Sequence, residues 1–280
     1  MRVYYELAAK KNSEVQKKNF FNDTKLEKGM ATWGSHFRIA EIILKKYDKL
    51  NRKCFAIGNI GPDCCLPNKN WSAFTPSRDV SHFTITKVSN WLETNTFRFM
   101  INDLKFFSKY LIDFNLISPQ DNRSFLLGYF LHLITDNLWN YYIMKPLKEE
   151  YFREFQKNPD FIWVVKKDWY DLDKIYITEN KDSLFWTDFL EAEYNEDFIN
   201  FLPREGVQRQ LEYIKKLYQI SEEEYIRILK RKYVYLEKTE MDQFVQNSSN
   251  VILKVLTRIL EKKFKFTGKS SVLDDIIVWN

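Results

Sequence analysis

The chain has 280 residues, 45% hydrophobic and 17% aromatic, which is enough apolar surface to bury a full core and excludes long disorder. Forty-three Lys and Arg against 38 Asp and Glu leave a formal charge of +5, too mild for a polybasic nucleic-acid arm. Seven Gly and seven Pro argue against collagen-like, low-complexity and turn-dense all-β chains. Against that background there are only three histidines, and their placement is the main clue to chemistry.

The first eleven residues contain a short apolar stretch broken by Glu6, without the apolar run of a secretory signal. No window of roughly 18 uncharged apolar residues exists, so no membrane span is expected. Cys54, Cys64 and Cys65 are odd in number and close together, which speaks against a disulfide framework. A reducing, cytoplasmic location is the expectation.

Composition divides the chain into a charged N-terminal extension (1–29), a middle region (30–145) holding every His and Cys, and a C-terminal region (146–280) rich in Lys, Glu and aromatics. The C-terminal region is expected to be helical and packed on the middle one, as scaffold, lid or partner surface. No internal repeat is visible. An apolar helical face runs over 35–47, with Ser35 able to cap its start. A long irregular connection follows over 54–83, marked by Gly58, Gly61, Pro62, Pro67 and Pro76; connections of that length are usually functional. Further helices are expected over 97–114, 122–143, 147–157, 183–201, 206–218, 221–236 and 240–265. The segment 122–143 is apolar nearly all round, as a buried central helix should be. In the last segment, residues 251–265 are amphipathic with a basic polar face, which suits a core helix with snorkelling lysines or, alternatively, one lying on an anionic membrane. The fold class is all-α.

Within the central helix, His132, Asp136 and Asn140 fall at i, i+4 and i+8 and so share one stripe. A carboxylate there costs several kcal/mol to bury unless it is paired or bound to a metal, and His with Asp at i, i+4 makes a two-point metal clamp or a core hydrogen-bonded pair. His36 lies near the start of the first helix. Asp63 projects from a Gly-Pro turn, and Asp79 and His82 follow Pro76. Every histidine thus has a carboxylate nearby or in line. Imidazole with carboxylate suits Zn²⁺ rather than Ca²⁺ or Mg²⁺. Such ions a few Å apart can activate a water and take charge from phosphoryl oxygens. Trp71, Phe74, Trp139, Tyr141 and Tyr142 flank these residues and are candidates to wall a pocket; Arg78, Lys87 and Lys145 are candidates to hold substrate phosphate. Cys64 and Cys65 read as small buried residues, with soft metal ligation as the alternative.

Four segments, Met30-Ala-Thr-Trp33-Gly-Ser-His36, Ile57-Gly-Asn-Ile-Gly-Pro-Asp63, Thr75-Pro76 through Asp79-Val-Ser-His82-Phe83, and Leu127-Gly-Tyr-Phe-Leu-His132-Leu-Ile-Thr-Asp136, resemble the zinc-dependent phospholipase C family in order and content, across roughly 30–145. The resemblance implies an all-helical fold that binds zinc in a cleft between helices and hydrolyses phosphodiesters with a metal-activated water. It implies one zinc site at Asp63, His82, His132 and Asp136, a second metal at His36 with Asp136 bridging, and Asp63 as a catalytic general base. The secreted members carry a further His, His, Glu set and a free Trp amine. Here no His follows His132, and 32 residues precede Trp33, so one or two ions are expected, not three. The substrate implied is a phospholipid or related small phosphodiester, with a nuclease or nucleotide phosphodiesterase on the same fold, or a non-catalytic metal- or ligand-binding module, as alternatives. A helical phosphohydrolase of the His-Asp type needs an adjacent His-Asp pair, which the chain lacks.

Overall fold

A computed structural model describes residues 29–70, 72–85, 99–112, 120–158, 160–260 and 270–277. The expectations for residues 1–28, for Trp71 and Lys87, and for the outer ends of the 97–114 and 240–265 helices lie outside them. The named elements of the described residues are helices apart from one two-stranded ribbon, and the fold is all-α.

Helix α1, Trp33–Lys46, begins two residues before the predicted start. Thr32, in extended backbone, holds the N-cap position; Ser35 does not cap, and its Oγ meets the Thr32 hydroxyl at 2.8 Å. Phe37, Ile39, Ala40, Ile43 and Leu44 form the buried face. The expected irregular stretch contains a helix, α2, Arg52–Gly58, nucleated where the Asn51 side chain accepts a hydrogen bond from the Cys54 amide. Burial of Phe55, Ala56 and Ile57 overrides the turn signals that follow. Beyond it come a tight 3₁₀ turn, Gly61–Asp63, strands β1, Leu66–Pro67, and β2, Phe74–Thr75, paired antiparallel, and the single turn α3, Arg78–Ser81.

Helix α4, Asp103–Tyr110, precedes the central helix α5, Gln120–Trp139, in which every residue from Ser124 to Trp139 is buried. The chain continues through a π-helical turn, Asn140–Met144, into α6, Lys145–Glu150, and α7, Phe152–Lys157. Helix α8, Phe161–Glu179, was not among the expected elements. Its apolar stripe is interrupted by Asp168, Asp171 and Asp173, all buried, and each meets its partners only in the fold. Asp168 accepts from Arg231 at 2.6 Å and from the Val234 and Tyr235 amides at 2.8 Å; Asp171 pairs with Arg231 at 2.9 Å; Asp173 accepts from the Tyr218 hydroxyl at 2.7 Å.

Two expected helices are corrected. Over 183–201 only one π-helical turn forms, Phe185–Phe189; the chain then runs irregularly, because Tyr194 and Phe198 turn inward against Phe125. Helix α9, Arg204–Tyr218, follows, and α10, Glu222–Leu229, stops short of residue 236; beyond it Asp168 accepts from the Val234 and Tyr235 amides. The long α11, Lys238–Leu260, sends Ile252, Val255 and Leu256 into the core, so this part of the basic segment is a core helix. A final 3₁₀ turn covers Val272–Asp275.

One apolar core runs from Met30 to Leu273 and includes the C-terminal helices; α1 packs on α8 and α11. Helices α2 and α5 touch backbone to backbone. A Cβ on Gly58 would sit 2.0 Å from the Phe125 carbonyl oxygen, and one on Gly128 2.2 Å from that of Phe55. Only glycine permits this approach, and it sets the turn carrying Asp63 against the helix carrying His132. Among the described residues no helix is long and apolar enough to cross a membrane.

Candidate metal centre

The five predicted side chains arrive from four places: His36 from the first turn of α1, Asp63 from the 3₁₀ turn after α2, His82 from the end of α3, and His132 and Asp136 from the middle of α5. The structure brings all five together. Asp136 lies 3.1 Å from His132 Nε2, 3.3 Å from His36 Nε2 and 3.8 Å from His82 Nε2; Asp63 lies 3.4 Å from His82 Nε2. The His36 and His132 rings stack 4.0 Å apart. Their ligand atoms form two overlapping groups, His36–His132–Asp136 and Asp63–His82–His132. Asn140, on the same stripe, does not join them: its amide donates to the Asp136 backbone carbonyl at 3.0 Å.

The hydrogen bonds around the rings decide what they offer. His132 Nδ1 stands 2.9 Å from the Asn59 carbonyl, which only accepts, so Nδ1 carries the proton. His82 Nδ1 likewise faces the Arg78 carbonyl at 3.2 Å. Both rings therefore turn Nε2 toward the carboxylates. No hydrogen bond reaches Nε2 of His36, His82 or His132, or Asp136 Oδ2, although all are buried. A cation seated among these nitrogens and carboxylates would give every one of them a partner. A backbone carbonyl fixing the far nitrogen is also the usual support of a metal-ligating imidazole. The residues fit zinc on both counts.

Charge follows the same pattern. Burial lowers the His36 pKa, and neighbouring His132 lowers it further, so His36 favours the neutral, ligating form. Burial alone would raise Asp136, but His132 and His36 reverse this and hold it well below the usual carboxylate range. Asp63 is likewise held low against burial by His82, His132 and Arg78. Burial also disfavours the His132 cation, yet Asp136 raises its pKa overall. Asp136 Oδ1 additionally accepts from the Ala31 amide at 3.1 Å, which ties the chain ahead of α1 to the centre.

The surroundings differ from the sequence expectation. Trp139 is fully buried between Trp169 and Phe244, and Tyr141 and Tyr142 pack edge-on against each other. The aromatic wall comes instead from Trp33, whose Nε1 donates to Asp63 Oδ2 at 2.6 Å, and from Tyr170 and Tyr213, whose rings lie 6.0 and 5.7 Å from it. Of the expected phosphate-holding residues, Arg78 is at the centre, 3.6 Å from Asp63 Oδ1 and over the Phe74 ring, whereas Lys145 lies over Tyr141. Sequence reasoning missed Asp173, which accepts from the Gly34 amide at 3.1 Å inside the first turn of α1. Burial raises its pKa to about 6. The one available signal was an acidic residue in an otherwise apolar segment. Cys64 and Cys65 join neither ligand group. Their thiols point at the Ile60 and Pro62 carbonyls, no disulfide forms, and burial pushes the Cys64 thiol well up.

An all-α chain that gathers three imidazoles and two carboxylates in its interior has the fold and donor set of a candidate divalent-metal site. Residues 35–196, more than half of the chain, match the family described as zinc dependent phospholipase C, and the chain belongs to that family. The matched region extends past 145 and takes in α8. No curated protein and no solved structure matches it significantly.

Proposed function

We propose that the chain is a zinc-dependent phosphodiester hydrolase whose substrate is a phospholipid or a related small phosphodiester. The observation that carries this reading is the convergence of three buried imidazole Nε2 atoms on Asp63 and Asp136, none of those nitrogens being in a hydrogen bond. His36, His82, His132, Asp63 and Asp136 would hold one or two zinc ions. Each free Nε2 serves one ion, so the two ligand groups describe one cluster with Asp136 central to it. Zinc supplies a water whose pKa falls to about 7 and withdraws charge from the phosphoryl oxygens.

The protein's own groups do the rest. The imidazoles and Asp136 are closed off, whereas Asp63 and Arg78 keep 12% and 16% of their side chains exposed, so a substrate arrives past these two. Arg78 presents a guanidinium for a phosphate oxygen. Asp63, oriented by Trp33 and ionised at neutral pH, takes a hydrogen bond from the attacking water. Its low pKa makes it a weak proton acceptor, so its larger part is to hold the cation. Trp33, Tyr170 and Tyr213 line the same side and receive the organic part of the ester.

The test is hydrolysis of bis(p-nitrophenyl) phosphate, phospholipid vesicles and a single-stranded oligonucleotide by zinc-loaded protein, with His132→Ala as control and metal content measured alongside. Turnover that needs His132 is expected. Equal turnover in both proteins sinks the proposal, and bound zinc without turnover replaces it with a non-catalytic binding module.

A further inference from the structure

A second feature lies away from the metal centre. A cavity of about 450 Å³ opens among the carboxyl end of α1, α2, α4, the amino end of α5 and α11. That size falls within the roughly 300–1,000 Å³ of small-molecule sites and is far above the voids of ordinary packing. Phe55, Phe107, Leu111, Leu127, Leu256 and Ile259 form its wall. Gln120, Arg123 and Leu127 come from one face of the first two turns of α5, a different face from that of His132. Lys46 is ten residues beyond His36 on α1, about 15 Å along the helix.

The rim is what identifies an occupant. Lys46, Lys49 and Arg123 border the cavity against one carboxylate, Asp48. Among the described residues none of these three cations is in an ion pair. An apolar chamber bordered by three cations against one carboxylate complements a molecule with one hydrocarbon chain and one anionic head. Neither a neutral lipid nor a cationic head would use the rim.

We infer that this cavity binds a single-chain anionic amphiphile, a fatty carboxylate or a monoacyl phosphate, with the chain between α4, α5 and α11 and the head on Lys46, Lys49 and Arg123. This site does not rest on the phosphodiesterase reading, and its test needs no zinc and no turnover.

The experiment is competition of dodecanoate, dodecyl phosphate, dodecanol and dodecyltrimethylammonium against a fluorescent fatty-acid analogue on the full chain. The two anions should displace the probe at concentrations at least roughly tenfold lower than dodecanol, about the effect of one charged contact. Their relative strength tells whether carboxylate or phosphate is the natural head. The double variant Lys49→Glu/Arg123→Glu, changed only at the rim, should erase the preference for anions and leave dodecanol unaffected. Ile112→Trp, at a position 56% exposed and therefore safe for folding, should narrow the mouth and weaken all ligands. No binding, equal binding of dodecanol and dodecanoate, or binding indifferent to both variants overturns the inference. Binding lost in His132→Ala but kept in the rim variants places the ligand at the metal centre and overturns it too.

Discussion

Replacing Gly128 by alanine probes the contact on which the metal centre is built. The added methyl would sit 2.2 Å from the Phe55 carbonyl oxygen and 2.9 Å from the Asn59 amide nitrogen, both backbone atoms that cannot rotate away. Reaching ordinary contact at 3.4 Å requires α2 and α5 to separate by about 1.2 Å (3.4 less 2.2). Overpacking of a dense interior costs about 1–3 kcal/mol, and a backbone clash belongs at the upper end. Separation also stretches two hydrogen bonds, Asn59 Nδ2 to the Gly128 carbonyl at 3.2 Å and His132 Nδ1 to the Asn59 carbonyl at 2.9 Å. At about 1 kcal/mol each they add roughly 2 kcal/mol. Alanine returns about 1 kcal/mol of helix propensity. The net expectation is a loss of about 4 kcal/mol in urea unfolding. Zinc affinity should fall as well, because Asp63 and His132 ride on the two separated elements. Gly206→Ala is a useful companion, since it meets the Cys64 carbonyl oxygen at 2.4 Å yet lies on α9. It should cost stability without separating α2 from α5. Unchanged stability and zinc affinity in Gly128→Ala would refute the idea that close backbone contact sets the centre.

Two further outcomes are expected. Stripping the protein with a chelator should lower its unfolding temperature, and zinc at a hundredfold excess over Kd should restore about 2.7 kcal/mol per site; Asp136→Asn should remove most of this response, and a thermal shift unaffected by zinc would count against the site. Buried Asp103, which accepts from Val272 N at 2.8 Å, Ser271 Oγ at 2.5 Å and Asn137 Nδ2 at 2.9 Å, is pushed by burial to about 7 from the ordinary 3.8. The folded state then keeps a proton that the unfolded chain has released, so this group's contribution is most favourable below pH 4 and declines by up to about 4 kcal/mol as the pH rises to 7. Asp103→Asn should flatten that slope when urea midpoints at pH 5 and 7.5 are compared; an identical slope in both proteins would show that Asp103 is ionised throughout.

What could be read from the chain alone was whatever depends on neighbours in sequence. The apolar periodicity of α1 and α5, the i, i+4 spacing of His132 and Asp136, and the turn before Asp63 are local patterns that lie within a few residues of each other. The four motifs together led to the right family, because their order along the chain survives without coordinates. Helix α8 was illegible for the opposite reason. Its Asp168 and Asp173 look incompatible with burial until Arg231 and Tyr218, some 63 and 45 residues away, come to meet them. The helix expected over 183–201 failed likewise, since Tyr194 and Phe198 bury against Phe125 and not along a helical face of their own. Tertiary structure alone decided that Trp33, packed against Tyr170 and Tyr213, and not Trp139, meets Asp63, and that two glycines bring α2 against α5. Secondary structure answers to the residues beside it. A site that spans a hundred positions answers to the packing of elements that know nothing of each other until the core closes.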